Sequence, residues 1–409
     1  MTTNKAASMT AVPRAPVRRR AVLALLTACV FLVGTAEWVM VGLLPELSTD
    51  LHRPPATVGV LVTVYALVVA VAGPLVTLGM LAIARHRTLL ILLCVFVAGN
   101  VAAALATGLG VLAAARMLTA LTHSTVFATA LVIAVTTAPP GHRGRAVAVI
   151  TAGWNLATVL GAPLGTWIGD HHGWRATFAG IAVLGAAVLT ATGVLVRPAA
   201  PETAGRPGGE VRELLKPEVA AVLAIIVVAQ AGLFTTYTYI APLLRQVSGF
   251  TASGVTALLA LFGLGSVAGN MLGGRLADRA PWAALCALLA VLATVLAAFT
   301  LTSRSRWAAA ATVLVLGVIA AALIPLLQDR ALASSPKAPT LVTAVSASAF
   351  NLGVAAGSTL GGQAVTVGSS LGDLPWIGAL VTLAAFGLAV TAARQRRAQP
   401  RTPMTCPIP

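Results

Sequence analysis

The sequence predicts an all-α membrane protein: twelve transmembrane helices in two six-helix bundles related as a parallel repeat. Three observations carry this. Apolar residues make up 58% of the 409 residues and charged residues 9%, a balance that a soluble domain of this length does not tolerate on its surface. The apolar residues gather into twelve runs, each long enough to cross a bilayer. The two halves also share a pattern: Asn155, Gly161 and Gly165 recur as Asn351, Gly357 and Gly361, each 196 residues on.

The runs cover, in order, 21–44, 57–81, 88–107, 110–136, 147–168, 175–196, 218–242, 253–274, 281–301, 307–328, 341–367 and 374–393. Before them lies a basic tail, 1–19. A Pro/Gly-rich charged linker, 197–217, follows the sixth run, and a second tail, 395–409, closes the chain. The chain thus divides into bundles at 20–196 and 218–394. The first run follows Arg18-Arg19-Arg20 but is too long for a signal peptide and lacks a clean cleavage site, so it reads as a retained helix.

Orientation follows from the basic residues. The tails and the even-to-odd connections hold 21 of the 27 Lys and Arg; the opposite connections hold Arg53, Arg175, Arg245, Arg304 and Arg306, and Arg116 lies inside a run. The positive-inside bias places both tails and the linker in the cytoplasm. The net charge of +16 is explained by these topological clusters, not by a nucleic-acid partner. Cys29, Cys94 and Cys286 read as packing residues, and no cysteine spacing suggests a metal or a disulfide framework. No G-x-x-x-x-G-K-[ST] loop is present. Neither a cofactor nor an enzymatic activity is expected.

Buried charge marks the candidate site. Glu37 lies roughly 10 Å below the membrane surface on the first run, at about 1.5 Å rise per residue. A carboxylate there costs roughly 2.5–3.5 kcal/mol on insertion scales, so it should face a cavity or a partner. On the fourth run Arg116, Thr119 and His123 share one helix face. Arg116 lies roughly 9 Å deep, close to the level of Glu37. Intramembrane ionisable groups are functional by default, although His123 could equally be a packed histidine bonded to a neighbouring helix.

The seventh run carries Gln230, Phe234 and Tyr237 at helical spacing, and the tenth is almost wholly apolar. Together with Asn155 and Asn351, these residues would line a site suited to a drug-like molecule more than to a sugar. Helix packing alone would also explain the aromatic stripe. Glycines recur every four residues at Gly161, Gly165, Gly169, at Gly265, Gly269, Gly273 and at Gly353, Gly357, Gly361. Such faces admit close helix approach, and they are expected to form the seam between the halves. Pro163 should kink the fifth helix. Gly274, Asp278 and Arg279 follow the eighth run, where Asp278 could cap a neighbouring helix and latch a closed state. The matching connection after the second run has Ala84 in place of an acid.

Together these residues resemble the major facilitator superfamily over nearly the whole chain. Within it, the resemblance is to bacterial drug:proton antiporters of the arabinose-efflux and chloramphenicol-resistance type. Gly34-Thr35-Ala36-Glu37 through Gly42-Leu43-Leu44-Pro45 is similar to that group's first helix, and Arg116 to the superfamily's fourth-helix arginine implicated in proton coupling. Gly153, Gly161, Pro163 and Gly165 are similar to the fifth-helix antiport motif, and Gly274 to Arg279 to the cytoplasmic loop motif. The loop departs from the family where Ala280-Pro281-Trp282 follows. The resemblance implies a monomeric exporter in the bacterial plasma membrane, driven by protons and acting on small molecules by alternating access. Sugar or metabolite efflux is the other transport reading. A membrane sensor or scaffold is a third, which the buried charges argue against.

Overall fold

The computed structural model describes residues 14–80, 83–138, 143–196, 216–335 and 339–398. Most of the two tails and the linker expected at 197–217 lie outside the described residues. Twelve long helices run through the rest. The first bundle holds α1 (Arg14–Asp50), α2 (Pro55–Met80), α3 (Arg85–Ala104), α4 (Leu109–Thr136), α5 and α6 (Trp174–Leu195). Of these, α5 runs from Arg143–Leu156 through a π turn, Ala157–Gly161, into Ala162–His172. The second bundle holds α7 (Pro217–Tyr237, resuming as Ile240–Gln246), α8 (Ala252–Arg279), α9 (Pro281–Thr302), α10 (Arg306–Ser334), α11 (Pro339–Thr366) and α12 (Leu374–Ala398). Among the described residues, eleven helices are long and apolar enough to span a membrane. The twelfth, α11, matches them in length but carries Ser346, Ser348, Asn351, Ser358 and Thr359. Helix α11 packs against α7 and against α2 of the other bundle, and Ser346, Asn351 and Ser358 are buried there. With an even number of spans, both ends of the chain meet the same face of the bundle, called here the terminal face; the opposite face is the distal one.

Two prolines shape the helices nearest the centre. Pro163 has no N–H for the carbonyl of Val159, and the backbone answers with the π turn, where Ala162 N–H bonds Ala157 O. The expected kink in α5 is this widened turn. Pro242 opposes the carbonyl of Thr238, where α7 breaks before resuming at Ile240. The sequence reading ended the seventh run at 242 and left Arg245 in a loop. Instead the resumed segment carries Arg245 to the distal end of α7, where it contacts α1.

The glycine faces do not form the expected seam between halves. They pack within each bundle. A methyl on Gly153 would lie 2.5 Å from Thr27 O; on Gly161 it would overlap Thr35, on Gly165 Val39 and on Gly169 Leu43, all residues of α1. In the second bundle Gly353, Gly357 and Gly361 meet Val227, Ala231 and Thr235 of α7, and Gly265, Gly269 and Gly273 meet Leu314, Val318 and Ala322 of α10. The repeat explains this: helices 196 residues apart pair alike, α1 with α5 and α7 with α11. The seam between bundles is built elsewhere. Gly263 of α8 lies against Thr158 and Val159 of α5, and α8 meets α5 mainly through Ala157–Gly161 and Ala162–His172, little through Arg143–Leu156.

Candidate central site

Arg116 is almost wholly buried on α4. Its Nη1 donates a 2.5 Å hydrogen bond to the Ala36 carbonyl of α1, and its guanidinium lies 4.1 Å from the centre of the Tyr65 ring. Stacking on a ring in a water-poor place stabilises a buried cation by about 2 kcal/mol. The Tyr65 hydroxyl in turn shares a 3.0 Å hydrogen bond with His123 Nδ1, and the His123 ring meets Trp154 edge-on at 5.0 Å. A chain of contacts therefore runs Ala36–Arg116–Tyr65–His123–Trp154 through α1, α4, α2, α4 and α5.

Glu37 and Arg116 line one cavity with Trp38, Val41, Val62, Tyr65, Ala66, Phe234 and Val354. Its volume of about 20 Å³ is room for roughly one water and far below the space a drug-sized ligand needs. The cavity is therefore in a closed form. Within it, the Glu37 Oε2 and Arg116 Nε atoms have no hydrogen-bond partner among the described residues. Buried polar atoms are nearly always satisfied in folded proteins, so these two atoms can each bond a polar group that enters the cavity.

The proposed substrate residues divide. Phe234 lines the cavity and joins an aromatic cluster: Trp38 and Phe234 at 5.9 Å, Trp38 and Tyr237 at 5.8 Å, Tyr237 and Phe262 at 4.5 Å, Phe234 and Phe350 at 6.4 Å. This cluster brings α1 of the first bundle against α7, α8 and α11 of the second. Gln230 and Asn351 are buried but do not line the cavity; each leaves its amide oxygen unpaired. Asn155 is half-buried and also lies off it. At the terminal face Asp278 and Arg279 are exposed, with Gly274 half-buried beside open space. Asp278 makes no hydrogen bond or ion pair among the described residues, and Ala84 leaves the start of α3 without a side-chain cap.

Tyr65, Trp38 and Trp154 were not read as site residues from the sequence. One signal was present: Trp38 precedes Phe234 by 196 residues, the repeat offset, and the two rings meet. Nothing in the sequence pairs Tyr65 with Arg116, because α2 and α4 are brought together only by folding.

A family model for the Major Facilitator Superfamily matches residues 26–358. The chain is 34% identical over 374 residues to the inner membrane transport protein YdhP of Escherichia coli K12, covering 91% of this chain and 95% of that protein. It is 33% identical over 374 residues to a chloramphenicol resistance protein of Streptomyces lividans, covering 90% and 94%. Among solved structures, a bacterial homologue of the human lysosomal transporter Spinster, inward-facing and occupied, superposes with a TM-score of 0.72 at 15% identity, covering 96% of this chain and all of that one. At that identity the likeness shows the fold. With its twelve helices, its repeat and these matches, the chain belongs to the major facilitator superfamily, a family of membrane transporters and not of enzymes.

Proposed function

We propose that this transporter is a proton-coupled antiporter that exports small, largely apolar drug-like or antibiotic compounds by alternating access. One observation carries the reading: an acid and a base from different helices line a single closed cavity at the junction of the bundles, each with an unpaired polar atom. A carboxyl alternately hydrated and enclosed beside a guanidinium has a different proton affinity in each state. A ligand or proton drives a cycle only through such a difference. Glu37 takes up a proton when the site opens outward and gives it up when the site opens inward, where substrate binds. Arg116 tunes that exchange, and Tyr65 with His123 holds Arg116 in place. The aromatic cluster around Phe234 and Tyr237, with few hydroxyl partners, favours an apolar compound over a sugar, and the relative named for chloramphenicol resistance supports the antibiotic class. The moving bodies are 20–196 and 218–394, joined by 197–217.

The test uses vesicles with an imposed pH gradient. Glu37→Gln, matched in size but unable to titrate, is expected to bind substrate and lose gradient-driven efflux. Efflux at the parental rate would remove Glu37 as the proton carrier. The orientation is proposed from the basic residues: the terminal face is cytoplasmic, in a bacterial plasma membrane. Cysteines placed at Thr2 and Gly208 should resist an impermeant thiol reagent in intact cells; efficient labelling at both would reverse the orientation.

A further inference from the structure

At the distal face one side chain ties the two bundles together. Arg245, on the resumed segment of α7, places Nη1 2.7 Å from Glu46 Oε1 of α1 and Nη2 2.6 Å from Asp170 Oδ1 of α5. Thr256 of α8 adds a 3.4 Å bond to Asp170 Oδ2. Thus α7 and α8 of the second bundle hold α1 and α5 of the first through one guanidinium and one hydroxyl. The cluster is largely shielded: the Asp170 side chain is 2% exposed, Glu46 17% and Arg245 24%. It forms part of the wall of a recess of about 530 Å³, also lined by Asp50, His172, Trp174 and Arg175. Asp50 is already engaged by Arg175 at 2.9 Å and by the Trp174 indole at 2.9 Å, all within the first bundle. A second line of contacts also crosses between the bundles. Tyr239 donates to Ser358 O at 3.1 Å, and Ser358 donates across the bundles to Gly59 O at 3.2 Å.

We infer that Arg245, Glu46 and Asp170 form the latch that holds the distal face shut, and that its release lets the bundles part there. Charges partly removed from water attract strongly, yet each regains hydration when the contact opens. The net free energy is therefore small, as a contact broken in every cycle requires. Arg245 reaches α1 from the segment that resumes after the α7 break at Thr238 and Tyr239. The inference rests on the bundles moving as bodies and is independent of proton coupling.

Spin labels on cysteines at Thr49 of α1 and Ser253 of α8, both exposed, report the distal separation in purified protein lacking the native cysteines, with neither substrate nor gradient. In the parent the short distance should dominate. Asp170→Asn and Arg245→Ala should each move the distribution to the longer distance, Glu46→Gln less so, and Arg245→Lys should keep the short one. Pairing Arg245→Asp with Asp170→Arg should restore it. Unchanged distributions in both Asp170→Asn and Arg245→Ala would overturn the latch. So would a shift in Arg245→Lys equal to that in Arg245→Ala, because the charge would then be irrelevant. Failure of the Glu37→Gln efflux test would leave these distances as they are.

Discussion

The two bundles pair their helices alike and fill those pairs with different chemistry. In the first, α1 and α5 pack through Gly161 on Thr35 and Gly165 on Val39; in the second, α7 and α11 pack through Gly357 on Ala231 and Gly361 on Thr235. Both partners shift by the same 196 residues. At that offset Glu37 becomes Leu233, Arg116 becomes Thr312 and His123 becomes Ile319. The charged pair at the central cavity, Glu37 and Arg116, therefore belongs to the first bundle. The aromatic residues do not divide this way, because Trp38 and Phe234 are equivalent positions and touch each other. The comparison teaches that the repeat supplies a common scaffold, while the charged pair Glu37 and Arg116 comes from the first bundle and the aromatic cluster beside it is shared by both.

The largest expected effect would break that asymmetry. Arg116→Ala should abolish gradient-driven efflux, while Thr312→Ala, at the equivalent position, should leave it near the parental rate. Arg116→Lys should retain part of it, since a lysine keeps the charge but loses the planar stack on Tyr65. Equal loss at both positions, measured in the same vesicles, would show that the bundles share the chemistry.

A smaller effect sharpens the difference in packing. A methyl on Gly357 or Gly361 meets backbone carbonyls of α7, the second at 2.6 Å, whereas on Gly161 or Gly165 it meets the side chains of Thr35 or Val39. A side chain can turn away, but a helix backbone must shift. Gly357→Ala and Gly361→Ala should cost about 1–3 kcal/mol, the range for overpacking, and Gly161→Ala and Gly165→Ala less. Thermal unfolding in detergent gives the order, and a larger loss in the first bundle would contradict it.

The smallest effect concerns the support of Arg116. Tyr65→Phe keeps the ring beneath the guanidinium and removes the hydroxyl bond to His123. A typical hydrogen bond contributes about 1 kcal/mol, so efflux should fall modestly and the apparent pH midpoint of transport should move little. A loss as deep as that of Arg116→Ala would make the Tyr65–His123 bond itself part of the proton route.

Much of the architecture was legible because a bilayer constrains composition and length together. Apolar runs, Arg-rich connections and the 196-residue repeat are periodic or compositional signals, so spans and bundles could be read from them. Counting residues along a helix of fixed rise put Glu37 and Arg116 at a similar level, and both side chains line one cavity. The glycine faces show the limit: spacing announces a close approach and does not say which helix approaches.

The sequence by itself determined the number of helices, the division into two bundles and the presence of buried charge, because these depend on local composition and on rise per residue. Only the tertiary structure decided which groups meet. Tyr65 beneath Arg116, Trp38 against Phe234, and Arg245 across Glu46 and Asp170 all join residues far apart in the chain. Their meeting depends on helix rotation, on the π turn before Pro163 and on the break before Pro242. The prolines are visible in the sequence. The direction in which the chain leaves each break is set by packing against neighbouring helices, and no local pattern records that.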